Sequence, residues 1–234
     1  MSLIPIATFQ HRKRTRRTPT QSAVLWYLAL ERPANSYTLT KLTKSNRSSV
    51  QIAVKNLVRD FLISNVRTIL SRNRVRSKVY DLTIFGLLTV LSNTRQEKIV
   101  ARVAEKHAEK LPLILGKWPV FIESHVDPLA LKILNKMLKI EWSGELRREK
   151  PGTKTFQTKL AEEATMMFYL GAADILDPDE LKKWVTVFKI DKEIADKFLH
   201  ILTQEEDWHR RRANEFQKQR IEIAQSLQPN SREA

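Results

Sequence analysis

The sequence predicts a mainly α-helical chain in which one β-hairpin interrupts the helices of the N-terminal third. Apolar residues recur with helical spacing between residues 19 and 61. The period then shortens to that of β-strands between residues 62 and 82. Beyond residue 95 helical spacing returns with no repeat of fixed period, which predicts an all-α C-terminal region. Hydrophobic residues make up 42% of the chain, enough for a packed core.

The positive charge of the chain is concentrated at its N-terminal end. The net charge is +15 over 234 residues. Residues 1–95 hold 17 Lys and Arg against 3 Asp and Glu, a net charge of +14, whereas residues 96–234 hold 24 against 23, a net charge of +1. A basic bias of the whole proteome would have raised both parts alike. The asymmetry therefore predicts a polyanionic partner for the first part, and nucleic acid is favoured over other anions.

Two helices are predicted before residue 46. The first runs from Pro19 to about Leu30, since Thr18 suits the N-cap and Gln21 the reciprocal capping-box position. Its inward residues are Val24, Leu25 and Leu28. Residues 32–36 are expected to form a loop. The second, short helix is predicted to begin near Thr38, with an inward pair, Leu39 and Leu42, and an outward pair, Lys41 and Lys44.

A third helix is predicted over residues 46–61, after a turn at residues 45–47. Its apolar stripe has the spacing i, i+3, i+4, i+7, i+8 and consists of Val50, Ala53, Val54, Leu57 and Val58. Its outer face is centred on Ser48, Ile52, Lys55 and Arg59 and flanked by Ser49, Gln51 and Asn56. That face contains no carboxylate, whereas a merely solvated face usually mixes both signs of charge. The pattern is typical of a helix that approaches phosphates.

A β-hairpin is predicted directly after the third helix. Residues 62–70 and 75–82 are rich in β-branched residues, and residues 71–74 form a polar turn. The hairpin carries a set of basic side chains, Arg67, Arg72, Arg74, Arg76 and Lys78. Three helices followed by such a hairpin, or wing, predict a winged helix-turn-helix module.

Residues 19–92 resemble the winged helix-turn-helix domain of prokaryotic transcription regulators of the MarR and PadR kind, including archaeal versions. The matching segments are residues 39–42, 47–50, 57–63 and 80–87, the last containing the Leu-Thr-x-x-Gly exit from the wing. Phe61 departs from the pattern, since related chains often carry Gly or another turn residue there. The resemblance implies that the third helix enters the major groove and that the wing contacts the flanking backbone or minor groove.

The predicted organisation has three parts. Residues 1–18 form a basic arm, residues 19–92 form the winged-helix domain, and residues 93–234 form an α-helical region for oligomerisation or for binding an effector, with a possible linker at residues 142–153. The arm contains Arg12, Lys13, Arg14, Arg16 and Arg17. These residues suit phosphates or a narrow minor groove. The alternative is a flexible, solubilising tail.

Two groups of DNA-contacting residues are predicted. The first, for reading bases, is Ser48, Ser49, Gln51, Ile52 and Lys55. Gln51 can pair with adenine, Lys55 with guanine, and Ile52 can touch a thymine methyl or make a contact inside the protein. The second group positions the module on the backbone and consists of Lys41, Lys44, Arg47 and Arg59 with the hairpin residues Arg72, Asn73, Arg74 and Arg76.

The C-terminal region is predicted to contain five helices. They cover residues 95–110, 127–140, 156–173, 177 to about 188, and 191–227, with a loop or turn at residues 116–119. The last helix carries Ile194, Ile201 and Trp208 at heptad intervals with Phe198 beside them, a pattern that fits either a dimer seam or packing within the chain. A homodimer is expected because regulators with this fold commonly bind two half-sites.

No feature of the sequence indicates catalysis, a metal or a cofactor. The chain has no cysteine and five glycines, and it contains no Walker loop, no Gly-x-Ser-x-Gly and no glycine-rich dinucleotide turn. A Glu-x-x-His motif occurs once, at Glu206 and His209, whereas a di-iron bundle uses two. No apolar run is long enough to span a bilayer. The chain is therefore expected in the cytoplasm, without a membrane partner, and not as an enzyme.

The sequence thus predicts a sequence-specific regulator of transcription that binds double-stranded DNA through the helix at residues 46–61. Two other functions use the same features. One is an architectural, chromatin-like protein that coats DNA with little sequence preference. The other is a replication or recombination initiator of a mobile element. A small-molecule or protein effector for the C-terminal region stays open.

Overall fold

The computed structural model describes residues 4–5, 18–70, 76–91, 94–137, 141–142 and 153–226. In these ranges the chain is mainly helical, as the sequence predicts, with ten α-helices, one three-stranded antiparallel sheet and one two-stranded antiparallel sheet, β1 with β5. The elements in chain order are β1 (Ile4–Pro5), α1 (Pro19–Leu30), β2 (Ala34–Asn35), α2 (Ser36–Thr43), α3 (Arg47–Arg59), β3 (Ile63–Leu70), β4 (Arg76–Leu82), α4 (Ile84–Leu91), α5 (Glu97–His107) with a 3-10 turn (Ala108–Lys110), α6 (Trp118–Glu123), α7 (Asp127–Met137), β5 (Glu141–Trp142), α8 (Lys154–Ile175), α9 (Pro178–Ile190) and α10 (Lys192–Ser226).

Local capping determines where the first two helices begin. The capping box at Thr18 is confirmed, since its hydroxyl accepts from the Gln21 N–H at 3.2 Å and its own N–H donates to the Gln21 side chain at 2.9 Å. Helix α2 begins at Ser36, two residues earlier than predicted, because the Asn35 side chain caps it by accepting from the Thr38 N–H at 2.8 Å. The inward placement predicted for Leu42 is wrong: that side chain is 50% exposed.

The sheet has three strands in the order β2-β4-β3, all antiparallel. The predicted hairpin is present, with Ile63 opposite Leu82 and Leu70 opposite Arg76. Strand β2 lies within the segment predicted as a loop, and it pairs Ala34 with Tyr80. This pairing joins segments far apart in the chain, so no local periodicity predicts it. The sheet thus pairs the segment between α1 and α2 with strand β4 of the hairpin.

The turn that follows α3 is a Schellman motif centred on Phe61. This residue has φ 57, in the left-handed region that favours glycine. The Leu62 N–H donates to the Leu57 carbonyl at 2.9 Å, and the Phe61 N–H donates to the Val58 carbonyl at 3.1 Å. Both Leu57 and Leu62 are buried, which supplies the hydrophobic contact that usually accompanies this motif. The departure at Phe61 is thus a non-glycine residue in a glycine-like conformation.

The start of α4 holds this turn in place. The Thr83 hydroxyl donates to the Phe61 carbonyl at 2.6 Å and accepts from the Gly86 N–H at 3.0 Å, and the Thr83 N–H donates to the Leu62 carbonyl at 3.1 Å. A Cβ added at Gly86 would lie 1.9 Å from the Leu62 carbonyl oxygen. Thr83 and Gly86 therefore clamp the end of α3 to the exit of the hairpin, and only a residue without a side chain fits at Gly86.

The helices beyond residue 94 follow the predicted order, with two corrections. Trp118 and Pro119, predicted in a loop, begin the additional short helix α6, where proline is tolerated in the first turn. Trp142, at the start of the predicted linker, lies in β5, which pairs with β1. Residues 143–152 of that linker, and residues 138–140 at the end of the helix predicted at residues 127–140, lie outside the described residues.

One apolar core runs through both the N-terminal and the C-terminal parts of the chain. The buried cluster extends from Val24 in α1 to Ile201 in α10. Helix α5 packs against α1, and α4 packs against α8, where the Ile84 N–H donates to the Gln157 side chain at 2.8 Å. The C-terminal centre of the core is aromatic and contains Trp118, Phe121, Phe168, Tyr169 and Trp184. The predicted division at residues 92 and 93 falls outside the described residues.

A buried polar cluster lies where α5 meets the hairpin. The Lys110 ammonium donates to the Asp81 carboxylate and, at 2.8 Å, to the Leu82 carbonyl. It also lies 3.3 Å from Nδ1 of His107, whose Nε2 lies 3.2 Å from the Leu28 carbonyl. A neutral imidazole with its proton on Nε2 satisfies both contacts, because it donates to Leu28 and accepts from Lys110. Burial and the Lys110 charge lower the pKa of His107.

We expect the clamp after α3 to contribute strongly to the free energy of unfolding. Thr83→Val leaves the Gly86 N–H and the Phe61 carbonyl without this partner and should cost about 1–3 kcal/mol. Gly86→Ala pushes the start of α4 away from the Leu62 carbonyl and should lower the free energy of unfolding by about 1–3 kcal/mol or more. Urea denaturation of the full chain measures both values.

Two matched variants control this experiment. Thr158→Val removes an exposed hydroxyl that bonds only the carbonyl one turn earlier. Gly171→Ala adds a methyl group that meets only the ends of two isoleucine side chains, at 3.2 Å and 3.3 Å. Both should change stability by less than about 0.5–1 kcal/mol. Losses as small in Thr83→Val and Gly86→Ala would show that the clamp is not required.

Stability should fall as the pH drops below about 6.5, the ordinary pKa of histidine, because His107 binds fewer protons in the folded state than in the unfolded chain. His107→Gln keeps a donor and an acceptor but cannot be protonated, so its unfolding free energy should depend less on pH between about pH 7.5 and 5.5. The exposed His200→Gln is the control and should keep the wild-type slope. Equal slopes for all three proteins would contradict a buried neutral His107.

Candidate nucleic-acid interface

Helix α3 is held at both ends by backbone geometry. The predicted segment at residues 46–61 becomes a helix at Arg47–Arg59, because Asn46 is the N-cap and accepts from the Ser49 N–H at 2.7 Å. The turn before it bends at Lys44, whose φ is 50. The far end is the Schellman turn at Phe61. These two left-handed residues fix the direction of α3 relative to α2 and to the hairpin.

The outer face of α3 is presented to solvent. Its polar and basic members Arg47, Ser48, Gln51, Lys55 and Arg59 are exposed, and Ser49 and Asn56 are half-buried. The helix contains no Asp or Glu between Arg47 and Arg59. The residues predicted as the centre of this face lie within a sector of about 60°. This face can offer hydroxyl, amide and ammonium groups to a polyanion without carboxylate repulsion from the helix itself.

Two apolar residues of α3 are exposed, although the sequence left open or predicted that they contact the interior of the protein. Ile52 is 61% exposed, so the alternative in which it makes a contact inside the protein is wrong. Val58, predicted in the buried stripe, is 39% exposed. It lies about 80° from the centre of that stripe on a helical wheel and therefore at the edge of the packed face. The other four stripe residues, Val50, Ala53, Val54 and Leu57, are buried as predicted.

Arg59 already has a partner within the chain. Its Nε lies 3.1 Å from the carboxylate of Asp60, the residue that caps the C-terminus of α3. Both side chains are substantially exposed, and such a surface pair is worth about 0–1 kcal/mol. An incoming phosphate can therefore compete for Arg59 at small cost. The acidic neighbour makes this end of the helix less cationic than the sequence of the helix alone indicates.

Helix α2 and the turn after it add further cations. Lys41 and Lys44 are exposed as predicted. Sequence reasoning missed Tyr37, which is 76% exposed one turn before Lys41. A tyrosine hydroxyl is a hydrogen-bond donor of the kind that contacts phosphate oxygens. The spacing i, i+4, i+7 of Tyr37, Lys41 and Lys44 could have placed Tyr37 on the same face as the two lysines.

The described strands of the hairpin also carry exposed cations. Arg76, Arg67 and Lys78 are all exposed. The ladder contains a β-bulge at Val66, between the pairs Asn65–Tyr80 and Arg67–Val79. A bulge increases the local twist of a strand. Some predicted contact residues lie outside the described residues, namely Arg72, Asn73 and Arg74 of the hairpin tip and Arg12, Lys13, Arg14, Arg16 and Arg17 of the arm.

The described part of the chain contains no group of three or more His, Cys, Asp or Glu side chains that could hold a metal ion. His209, from the Glu-x-x-His motif, instead lies 3.2 Å from Glu205 on the same exposed helix face. No helix in the described ranges is both long enough and apolar enough to cross a membrane.

A small cavity lies between α5 and α6. Its volume is about 160 Å³, and its lining includes Ala101, Ala104, Trp118 and Ile122. Binding sites for drug-sized molecules measure about 300–1,000 Å³. This cavity is therefore too small for an effector of that size without movement of α6.

No model of a known protein family matches the chain, and no curated protein matches it either.

The N-cap of α3 should contribute measurably to stability. Asn46→Ala removes the acceptor of the Ser49 N–H and should lower the free energy of unfolding by about 1 kcal/mol. Asn46→Ser keeps a capping oxygen and should stay within about 0.5 kcal/mol of the wild type. Thermal and urea unfolding measure both. If alanine and serine behaved alike, the cap would not stabilise α3.

Proposed function

We propose that the protein is a sequence-specific regulator of transcription that binds double-stranded DNA through a winged helix-turn-helix. The observation that carries the proposal is the outer face of α3, where Ser48, Gln51, Ile52 and Lys55 are exposed together on a helix without a carboxylate. The order α1-α2-α3 followed directly by the β3–β4 hairpin agrees with this assignment. The net charge of +14 in residues 1–95 supports a polyanionic partner for this part.

In this proposal α3 lies in the major groove with its N-terminal half against the base edges. A major groove about 12 Å wide admits an α-helix. Gln51 pairs with adenine and Lys55 with guanine, while the exposed Ile52 touches a thymine methyl. Ser48 and Ser49 lie at the helix N-terminus, which usually points most deeply into the groove. Base recognition thus rests on these five residues.

The remaining cations hold the module in register on the backbone. Arg47 and Arg59 lie at the two ends of α3, about 18 Å apart along its axis, a separation that suits phosphates on either side of a groove. Lys41 and Lys44 contact phosphates beside the N-terminal end of α3, with Tyr37 as a further donor. The wing and the arm add contacts to the flanking backbone or minor groove.

The C-terminal helices assemble the regulator as a homodimer in this proposal. A dimer with two-fold symmetry presents two α3 helices to two half-sites about one helical turn of DNA apart. Helices α1 and α5 pack directly on each other, so the DNA-reading module and the C-terminal helices share one core. We therefore expect the two parts to move together.

Binding to a selected duplex and to a scrambled duplex of the same composition tests the proposal. The selected duplex is recovered from a random library with the full-length protein, and both affinities are measured over a salt series. We expect a preference of roughly 10³-fold or more for the selected duplex. Gln51→Ala and Lys55→Ala should each weaken binding to it by about 1–3 kcal/mol and weaken binding to the scrambled duplex less.

Three controls separate the kinds of contact. Lys183→Ala and Gln96→Ala alter exposed residues outside the interface and should leave both affinities unchanged. Deletion of residues 12–17 should weaken both complexes alike and flatten the salt dependence. Similar affinities of the wild type for both duplexes would instead indicate an architectural protein that coats DNA, and equal losses in Gln51→Ala and Lys55→Ala on both duplexes would refute base recognition.

A further inference from the structure

Helix α10 extends well beyond the core that holds its first turns. It has 35 residues, which corresponds to about 52 Å. Ile194, Phe198 and Ile201 are buried within their own chain, so packing within the chain accounts for this part of the predicted dimer seam. Lys117 anchors the start of the helix through ion pairs with Asp191 and Glu193. A rigid base of this kind fixes the direction in which the rest of α10 projects.

The second half of α10 is exposed on all sides. Between residues 203 and 223 only Glu205 is half-buried, and the other residues are exposed. Four large apolar side chains in this segment are exposed, Trp208 with 39%, Phe216 with 56%, Ile221 with 46% and Ile223 with 60% of the surface exposed. Most helical stability in proteins comes from packing of an apolar face. A long exposed helix with such side chains is therefore expected to pack against a partner.

The charges of residues 205–212, within this segment, are antisymmetric about the pair Trp208 and His209. The sequence of residues 205–212 is Glu-Glu-Asp-Trp-His-Arg-Arg-Arg. Three carboxylates precede the central Trp208 and His209, and three guanidinium groups follow them. When the segment is reversed end to end, each negative position coincides with a positive one. This is the property that a helix needs in order to pair with an antiparallel copy of itself.

We propose that residues 203–214 form an antiparallel pair with the same residues of a second copy of this chain, with the two-fold axis between Trp208 and His209. Glu205 of each copy then lies opposite Arg212 of the other. The two symmetry-related pairs flank a centre made of Trp208 and His209. An interface of this kind is isologous, because the same surface serves on both subunits.

Helical geometry places the complementary residues on one face. Glu205, Arg212 and Phe216 lie within about 40° of one another on a helical wheel, and Trp208 and His209 lie on either side of their line. The same line continues through Ile201, which is buried against the core of its own chain, so the contact between the two copies centres on residues 205–212.

A parallel arrangement in the same register would bring like charges together, Glu205 against Glu205 and Arg212 against Arg212. In a single chain the charges find only local partners, such as Glu206 with Arg210 at 2.8 Å and Arg212 with Glu215 at 3.2 Å. Exposed pairs of this kind are worth about 0.3–0.5 kcal/mol each. The Glu206–Arg210 pair lies on the outer side of the helix and persists in the antiparallel pair.

Charge reversal tests the register of this pair in the absence of DNA. Wild-type protein at micromolar concentration should show twice the 27.3 kDa mass of the chain in light scattering coupled to size exclusion. Glu205→Arg and Arg212→Glu should each shift the protein toward the monomer mass, because each sets like charges opposite one another twice. The double variant, which carries both changes, restores opposite charges and should recover the dimer. Lys218→Glu, a reversal on the outer side of the same helix, should leave the mass unchanged.

Circular dichroism of each variant shows whether α10 stays helical, so that a loss of pairing is not mistaken for a loss of the helix. A monomeric wild type, or a double variant as monomeric as the single ones, would overturn the proposal. Because no DNA is present, this result is separate from that of the DNA-binding experiment.

Cysteine cross-linking gives a second measure of the same register, since the natural chain contains no cysteine. With Glu205→Cys and Arg212→Cys in one chain, oxidation should link the two copies covalently. The two positions are about 10 Å apart within one helix, too far for an internal disulfide. Either single variant should link poorly, because the antiparallel register separates identical positions by the same distance. Efficient linking in the single variants would indicate a parallel pair and contradict the proposal.

Discussion

The turn that joins α3 to the hairpin is stabilised by one hydroxyl group. Thr83 donates to the Phe61 carbonyl and accepts from the Gly86 N–H, so one side chain joins the end of α3, the exit of the hairpin and the start of α4. The turn at Phe61 uses a backbone conformation that costs a non-glycine residue about 1–2 kcal/mol. Such a conformation persists only where its surroundings determine it, and the bonds of Thr83 and the close approach of Gly86 to Leu62 supply that constraint.

A second constraint joins this module to the rest of the chain. Lys110 follows α5, yet its ammonium donates to Asp81 and Leu82 at the end of the hairpin. His107, one turn earlier, contacts the Leu28 carbonyl of α1. A flexible linker between two independent domains would leave these groups in water, whereas here they are largely buried and hydrogen-bonded to one another, with only the Oδ1 atom of Asp81 left without a partner in this cluster. A displacement of α5 therefore perturbs α1 and the hairpin at once, which provides a physical route between the helical part and the outer face of α3.

The sequence predicts those features that depend on neighbours a few residues away. The capping box at Thr18 and the stripe at Val50, Ala53, Val54 and Leu57 are local, and the structure confirms both. Strand β2 was missed because its partner Tyr80 is distant in the chain. The spacing of Leu42 from Leu39 predicted an inward side chain, but Leu42 lies about 90° from the side of α2 that packs. Thr40 and Thr43 lie on the packed side, and their hydroxyls donate to carbonyls of the same helix. The same limit applies to the candidate interface. Spacing located the outer face of α3, whereas the clamp at Thr83 that orients it joins segments about twenty residues apart.

The proposed pairing of α10 has a consequence for the distance between the two α3 helices of such a dimer. From α3 to α10 the contacts are continuous, through α1 and α5 and through α4 and α8, with α8 packed against α10. Packed cores deform little because their interiors are as dense as molecular crystals. Two copies joined through α10 would therefore hold their α3 helices at a separation set by rigid packing and not by the reach of a linker. A rigid separation tolerates few spacings between half-sites, so changing the spacing in a two-site DNA by about 5 base pairs, half a helical turn, should abolish the gain from the second site.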